Sequence, residues 1–388
     1  MKVKLGDVFT ITSGGTPDKR KNEYYENGTI PWVKTGDLKE MYVPENIECI
    51  TQIGLENSSA KLFPQNTVLV AMYGATIGAC SILPYEASTN QACAAFLPNE
   101  KVLPSYLYYF LCGRKEQFVQ DGVGGAQPNI SAGYLKNVWF ELNSVEEQRE
   151  IVACLTKVTE LISLRKQQLA KLDELVKSRF IELFGDPVQN SMGWETELLK
   201  NATSKIGSGA TPKGGKESYQ TEGITLIRSM NVHDGRFEYK DLAHITDEQA
   251  KQLENVTVEE NDVFINITGA SVARSCIVPK HILPARVNQH VAIIRCITSM
   301  LNPTFANQMF LNRSFKNQLL DIGESGGATR QAITKQQLES LLVIIPPMEL
   351  QEQFATFVDQ TDKSKLEIQK SLEKLETLKK ALLQEYFG

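Results

Sequence analysis

Two stretches of the chain carry apolar residues at a seven-residue spacing, which is typical of helices that pack against each other along a narrow stripe. In the first stretch the spaced positions are Leu155, Ile162, Leu169, Val176 and Leu183. In the second stretch they are Phe354, Thr361, Ile368, Leu375 and Leu382. Each stretch ends in Phe-Gly, and we predict two long helices.

The start of the first helix has a capping signal. Ser144 and Glu147 have the spacing of a capping box, in which each residue satisfies a backbone amide of the other. Gly185 followed by Asp186-Pro187 marks the end. A helix from Val145 to Leu183 would be roughly 58 Å long. Since the chain must double back between the two helices, we expect them to pair antiparallel, with interhelix packing by Leu155, Ile162, Leu169, Val176, Leu183, Ile368, Leu375 and Leu382.

Each helix follows a region of short β-like runs and turns, and these regions repeat. "SGGTP" at Ser13 returns as "SGATP" at Ser208, and "VLVAMYGATIG" at Val68 returns as "VFINITGASVA" at Val263. The short motifs Asn-Gln, Gly-Gly-Ala and Glu-Gln recur in the same order. We therefore predict a tandem repeat of one domain, divided as 1–143 (domain), 144–186 (helix), 187–345 (domain) and 346–388 (helix). The expected fold class is α/β (α+β), with a pseudo-twofold relation between the halves.

Composition and charge narrow the function classes only mildly. The chain is 42% hydrophobic and 22% charged, with a formal net charge of −5, so no basic excess indicates a nucleic-acid partner. The scattered cysteines have no metal-binding spacing, which favours reduced thiols in the cytoplasm. The apolar run Val68–Leu83 is short and contains glycines, so we expect strand, turn and strand rather than a membrane span.

Motifs for catalysis fail on inspection. "ATPKGGKE" at Ala210 resembles a phosphate-binding loop but lacks the first Gly and the final Ser or Thr. "NPTF" at Asn302 resembles an amino-methyltransferase signature but lacks its second Pro, and the repeat has "LPSY" there. No histidine has a metal-ligand spacing. The sequence favours a binding protein over a catalyst.

Polar loop residues are the remaining candidates for chemistry. Cations on glycine loops suit phosphate oxygens, and Arg, Lys, Asn and Gln can bond base edges. Lys34-Thr35-x-Asp37 also matches Arg228-Ser229-x-Asn231 in the second repeat. Candidate DNA-binding residues are Lys19, Arg20, Lys21, Lys34, Thr35, Tyr73, Gln127, Lys213, Lys216, Arg228, Ser229, Asn231, Arg274, Arg330 and Gln331. No catalytic or metal-binding residue is proposed.

The order of these duplicated motifs resembles the specificity subunit of type I restriction–modification systems. The resemblance covers essentially the whole chain, although the Gly-Gly-Ala segment continues differently in the two copies. It implies two target recognition domains, each contacting half of a split double-stranded DNA target in the major groove. It also implies two modification subunits that use S-adenosylmethionine to methylate adenine, restriction subunits that use ATP and Mg²⁺, and no cofactor in this chain.

Two other function classes remain open from the residues alone. One is a self-contained DNA methyltransferase or nuclease, and the other is a coiled-coil adaptor without DNA recognition. If the chain does recognise DNA, the helices should fix the length of an unrecognised gap between the half-sites, because a helix has a fixed rise per residue. Arg274 stands where the first repeat has Ala79, so the two half-sites should differ.

Overall fold

The computed structural model describes residues 1–122, 129–212, 214–324 and 331–388. The chain forms two compact units. The first unit contains Met1–Lys166 and Gln369–Gly388, and the second contains Gln167–Ile368. Each of the two long helices is therefore divided between the units, whereas the sequence suggested separate spacer segments.

The first unit is a mixed α/β domain. Its strands are β1 (Lys2–Lys4), β2 (Ile11–Ser13), β3 (Ile30–Val33), β4 (Cys49–Ile50), β5 (Leu62–Phe63), β6 (Val68–Ala71), β7 (Cys80–Ile82), β8 (Ala87–Thr89), β9 (Cys93–Phe96) and β10 (Trp139–Glu141). Its helices are α1 (Leu5–Val8), α2 (Gln52–Glu56), α3 (Pro104–Gly113), α4 (Lys115–Asp121), α5 (Ala132–Lys136) and the first part of α6 (Val145–Phe184). The main sheet has the order β2-β9-β6-β7, and a second sheet has the order β4-β3-β8-β5.

The second unit repeats this plan. Its strands are β11 (Thr196–Leu198), β12 (Thr203–Ser208), β13 (Ile224–Ile227), β14 (Val232–His233), β15 (Arg236–Phe237), β16 (Ala243–Ile245), β17 (Val263–Asn266), β18 (Ser275–Ile277), β19 (Ala285–Val287), β20 (Val291–Cys296) and β21 (Leu342–Ile344). Its helices are the rest of α6, α7 (Asp247–Gln252), α8 (Pro303–Leu311), α9 (Arg313–Glu324), α10 (Lys335–Glu339) and the first part of α11 (Met348–Phe387).

Sheet topology confirms the duplication. The order β12-β20-β17-β18 corresponds strand for strand to the main sheet of the first unit, and β13 pairs parallel with β19 as β3 pairs with β8. Asn66 and Asn261 precede the two central strands with φ of 70° and 69°. Asn tolerates this left-handed conformation better than most residues, which explains the repeated turn signal. The predicted mixed fold with two repeated domains and two long helices is confirmed; the pseudo-twofold relation stays a prediction.

The end of each long helix lies in the core of a unit built around the other repeat. Phe184, at the end of α6, packs in the second unit with its ring centroid 4.7 Å from that of Phe305. Phe387, at the end of α11, packs in the first unit 5.2 Å from the ring of Tyr106. The repeated Phe-Gly ending is therefore a core-filling anchor in both copies.

Within each unit, the two helices run antiparallel. In the first unit, Lys166 Nζ lies 3.0 Å from a carboxylate oxygen of Glu376, and residues near the start of α6 share a core with the last turns of α11. In the second unit, Lys365 Nζ lies 2.7 Å from Asp173. The predicted packing positions are buried or half-buried: Leu155, Ile162, Leu169, Val176, Leu183, Ile368, Leu375 and Leu382. Leu155 and Val176 belong to the domain cores as well as to the helix stripe.

A buried glutamine near the start of each long helix acts as a clamp, Gln148 in α6 and Gln351 in α11. The second Glu-Gln pair of the sequence repeat is Glu352-Gln353, and both of its residues are exposed, so the structural counterpart of Gln148 is Gln351 and not Gln353. Gln148 is fully buried; its Oε1 accepts from the Leu103 amide at 2.9 Å, and its Nε2 donates to the Lys101 and Asn143 carbonyls. The predicted capping box is also present, since Glu147 accepts from the Ser144 amide at 2.8 Å and Ser144 Oγ accepts from the Glu147 amide at 3.3 Å. These contacts fix each helix to its own domain.

Candidate DNA interface

A repeated threonine joins two of the repeated loops in each unit. In the first unit, the Thr16 hydroxyl of "SGGTP" donates to the Gln91 amide oxygen of the Asn-Gln pair. In the second unit, the Thr211 hydroxyl donates to Gln289 in the same way. Residues of the repeated motifs therefore form hydrogen bonds that connect loops far apart in sequence.

The second residue of the Ser-Gly pair has no room for a side chain. A Cβ at Gly14 would lie 2.0 Å from the Thr89 carbonyl oxygen, and one at Gly209 would lie 1.8 Å from the Val287 carbonyl oxygen. Glycine is required here because the loop backbone lies directly against β8 or β19.

In each unit, one further turn borders the surface that these loops form. Gly74 and Gly269 begin matching turns with φ of 68° and 75°. The residue before each glycine bridges to the segment that follows the Gly-Gly-Ala motif, Tyr73 to Asn129 and Thr268 to Ala332. Each unit thus presents one surface made of several repeated loops on a rigid sheet.

The repeated Lys34-Thr35-x-Asp37 motif is a structural turn. The Asp37 carboxylate accepts from the Lys34 amide at 2.8 Å, and Asn231 Oδ1 accepts from the Arg228 amide at 3.1 Å. Asn231 is fully buried, and its Nδ2 also donates to the Glu238 carbonyl at 3.0 Å. A base cannot reach this amide, so the prediction that Asn231 contacts DNA is wrong. Thr35 and Ser229 begin the same short turns.

The cations of the first unit differ in how far they are already neutralised. Arg20 pairs with Asp18 at 2.8 Å, and this contact holds the pKa of the Asp18 carboxyl down at about 2. Lys34 pairs with Glu48 at 2.6 Å, and the Glu48 carboxylate raises the pKa of the Lys34 ammonium. Lys21 donates to the Tyr24 hydroxyl and lies 4.8 Å from its ring centre. Lys19 is exposed and has no ion pair within the described part of the chain.

In the second unit the loops enclose an open cleft of about 550 Å³. The residues that line it are Ser229, Met230, Thr268, Gly269, Ala270, Ser271, Arg274, His290, Gln331 and Ala332. Arg274 Nη1 lies 3.5 Å from His233 Nδ1, and no carboxylate in the described ranges pairs with Arg274. Gln331 donates to Glu324 at 2.7 Å, and His290 contacts the Thr268 hydroxyl. The cleft therefore contains the Arg274 guanidinium, which forms no ion pair with a carboxylate of the described residues, together with several side chains that can form hydrogen bonds.

Arg228 lies beside this cleft but is partly engaged. Its guanidinium lies 5.3 Å from the Tyr219 ring centre, and one of its nitrogens donates to the Asp241 carbonyl. Lys21 and Tyr24 make the corresponding cation–ring contact in the first unit. Tyr73 is 44% exposed at the loop surface of the first unit.

Three predicted residues, Gln127, Lys213 and Arg330, lie outside the described residues, and the side chain of Lys216 does too. Sequence reasoning missed His290, His233 and Met230. His290 directly follows the repeated Asn-Gln pair, and Ala92 takes that place in the first repeat. The sequence signal that could identify His290 is this difference between the copies directly after a shared motif.

The described ranges contain no group of three or more His, Cys, Asp or Glu side chains that could hold a metal ion. They also contain no helix with the length and apolarity needed to cross a membrane.

Residues 1–174 and 194–380 match the family described as "Type I restriction modification DNA specificity domain". The type I restriction enzyme MjaIX specificity subunit of Methanocaldococcus jannaschii is 27% identical over 404 residues, covering 98% of this chain and 90% of that protein. The EcoR124I/EcoR124II specificity subunit of Escherichia coli is 27% identical over 181 residues, covering 45% of each protein.

Two solved structures share the fold over the full length of the chain. The S subunit of the M. genitalium type I restriction–modification system has a TM-score of 0.58 at 15% identity, covering 100% of this chain and 96% of that one. A chain from a structural study of type I R-M complex assembly and conformational transition has a TM-score of 0.61 at 19% identity, covering 100% and 97%.

Proposed function

The chain belongs to the family of type I restriction–modification DNA specificity subunits, and we propose that each of its units contacts one half of a divided double-stranded DNA target through its joined loops. The observation that carries this proposal is the loop surface itself. In both units, hydrogen bonds such as Thr16–Gln91 and Thr211–Gln289 fasten separate loops into one face. Loops held on a rigid sheet suit recognition, because their side chains are positioned before the ligand arrives.

The two half-sites should differ in base sequence. The residues that join the loops are the same in both repeats, but the side chains at the surface are not. Arg274 corresponds to Ala79, His290 to Ala92, and Met230 to Gly36. Side chains with different hydrogen-bonding groups recognise different base edges in the major groove.

Arg274 is the residue that we propose to contact a base in the second half-site, with guanine as the preferred partner. An arginine suits guanine because its guanidinium can donate to both O6 and N7. Arg274 has no carboxylate partner in the described ranges, so binding DNA breaks no ion pair. Its neighbour His233, at 3.5 Å, restricts where the guanidinium can point.

Phosphate contacts should come from the exposed cations of the loops. Lys19 is the strongest candidate in the first unit because it has no ion-pair partner there, whereas Arg20 and Lys34 are paired with carboxylates. Lys21, Lys34, Thr35, Tyr73, Gln127, Lys213, Lys216, Arg228, Ser229, Arg330 and Gln331 remain proposed contacts to the backbone or to bases.

We assign no catalytic step to this chain. Methylation of adenine from S-adenosylmethionine is proposed to reside on two modification subunits, and ATP- and Mg²⁺-dependent cleavage on restriction subunits. The chain would then supply sequence recognition and the surface on which those subunits assemble. Cations on a partner that closes around the duplex would offset the net charge of −5.

The test is to co-express the chain with a type I modification subunit that assembles with it and to map methylated adenines by sequencing. Wild type should methylate one divided sequence. Arg274→Ala should relax the sequence requirement in one half-site, at about 1–3 kcal/mol for a lost bidentate contact, and leave the other half-site intact. Lys280→Ala is the matched control, because Lys280 is exposed, pairs with Glu260 and does not line the cleft.

Methyl transfer by the purified chain alone would favour a self-contained methyltransferase over this proposal. Wild-type specificity in the Arg274→Ala complex would show that the cleft does not contact bases. Assembly with the modification subunit without any sequence preference would favour a coiled-coil adaptor.

A further inference from the structure

Two cysteines of the first unit lie beside each other. Cys80 is the first residue of β7 and Cys112 lies in the last turn of α3, and their sulfur atoms are 3.3 Å apart. A disulfide bond is about 2.0 Å long, so bonding these sulfurs requires a movement of little more than an ångström. We propose that Cys80 and Cys112 are an oxidation site, at which peroxide converts the thiol pair into a disulfide that ties β7 to α3.

The two thiols are chemically unequal. The Cys80 thiol hydrogen-bonds to Cys112, which lowers the pKa of Cys112, and the ammonium groups of Lys115 and Lys379 lower it further. The same hydrogen bond and burial raise the pKa of Cys80. Cys112 is also the more exposed of the two. Because the thiolate is the reactive form, Cys112 is the sulfur that attacks the oxidant, and Cys80 is the sulfur that resolves the product.

The chemistry needs only a peroxide. The Cys112 thiolate attacks one oxygen of hydrogen peroxide, the O–O bond breaks, and the products are Cys112 sulfenic acid and hydroxide. The Cys80 sulfur then attacks the sulfenic sulfur, the S–O bond breaks, and water leaves as the disulfide forms. Both sulfurs are oxidised and the peroxide is reduced.

No other cysteine has a second sulfur as a partner among the hydrogen bonds of the described residues, and Cys49 and Cys154 are half-buried single thiols. Cys93, Cys276 and Cys296 are buried, and burial raises the pKa of each thiol. In the second unit, Ser275 takes the place of Cys80 and bonds to Asn307 at 2.8 Å instead. The oxidation site is therefore a property of the first repeat and is absent from its counterpart.

The disulfide would form beneath the end of the second long helix. Gly113 follows Cys112, and a Cβ built there would lie 3.7 Å from the Leu383 side chain of α11. Lys379, one of the cations that lower the pKa of Cys112, is also on α11. Oxidation would thus fix α3 to the sheet at the point where α11 packs on the first unit, and should slow hydrogen exchange in β7 and α3.

The experiment treats the folded, reduced chain with hydrogen peroxide, unfolds it, alkylates the free thiols and measures the intact mass. The number of alkylated thiols should fall from seven to five. Tryptic mapping should then show residues 62–101 joined to residues 102–114. Cys93 lies in the first of these peptides, so Cys93→Ser should retain the link and Cys80→Ser should abolish it.

The Cys80→Ser chain provides a second readout. Without a resolving sulfur, Cys112 should accumulate as sulfenic acid and react with dimedone, whereas Cys80 in Cys112→Ser should stay reduced under the same treatment. The peptide map of the wild-type chain tests for the disulfide even if a cysteine variant fails to fold. Seven free thiols after oxidation, or a link that persists in Cys80→Ser, would overturn the proposal.

Discussion

Replacing the buried Gln351 by alanine tests whether the buried glutamine near the start of each long helix is a structural clamp. Gln351 Oε1 accepts from the Asn302 amide at 2.9 Å, and Nε2 donates to the carbonyls of Met300 and Pro346 at 3.0 and 2.8 Å. The side chain is fully buried. Three hydrogen bonds at about 1 kcal/mol each give an expected loss of about 3 kcal/mol in the free energy of unfolding of the second unit.

The assay is urea denaturation followed by hydrogen exchange and mass spectrometry, because peptides from each unit then report separately. For a unit of this size, a loss of about 3 kcal/mol lowers the urea midpoint by roughly 1–1.5 M. Peptides of the first unit should keep their midpoint. Gln353→Ala is the matched control, since Gln353 is exposed two residues further along the same helix and should shift stability by less than about 0.5 kcal/mol.

A conservative variant separates hydrogen bonding from packing. Gln351→Glu keeps the size of the side chain but places a carboxylate oxygen against the two carbonyls, so it should destabilise the unit at least as much as alanine at neutral pH. Equal midpoints for Gln351→Ala and Gln353→Ala would refute the reasoning. A wild-type midpoint for Gln351→Glu would show that the donated hydrogen bonds carry no stability.

Three further predictions follow from the loops and the helices. Lys19→Ala should flatten the log–log salt dependence of DNA binding by the assembled complex by about one unit, whereas Arg20→Ala should change it less because Asp18 already pairs with Arg20; equal slopes would contradict the assignment. Inserting four residues near Lys166 and four near Lys370 in the same chain should lengthen the gap between the half-sites and leave the bases of the half-sites unchanged. Sequencing of methylated sites measures both. Changed bases with an unchanged gap would show that the helices do not determine the gap length. Hydrogen bonds from the Ser144 hydroxyl and amide lower the pKa of Glu147. Their stabilisation of α6 is therefore complete above the ordinary pKa of Glu and is lost as the pH falls through the lowered pKa. The difference in urea midpoint between wild type and Ser144→Ala should shrink on acidification, and a difference independent of pH would contradict this prediction.

The sequence predicted the duplicated fold well because the contacts that hold it are short motifs kept in both copies. The Ser-Gly and Asn-Gln pairs each make the same backbone or side-chain contact twice. The Glu-Gln repeat was matched two residues too far along, since the contact of Gln148 is made in the second copy by Gln351 and not by Gln353. Strand partners such as β1 with β10 could not be predicted, since residues so far apart in sequence leave no local pattern.

The same duplication misled the choice of contact residues. Asn231 matches Asp37 between the copies, and both form the same turn, because residues that two domains share are those that the fold requires. Recognition of two different half-sites needs residues that differ, such as Arg274 and Ala79 or His290 and Ala92. Periodicity and motif matching do not identify the cleft residues. They are found by comparing the two copies for differences at the ends of the shared motifs.

The position of Phe387 has a consequence for how the protein is made. The first unit combines Met1–Lys166 with Gln369–Gly388, so its core stays open until residues that are translated long after it have emerged. At about 5–20 residues per second, that delay is roughly 10–40 s. During this interval the pocket formed by Tyr106 and Phe110 lacks the ring that fills it. The domain that leaves the ribosome first is thus completed after its neighbour, and the nascent chain exposes an apolar pocket until Phe387 arrives.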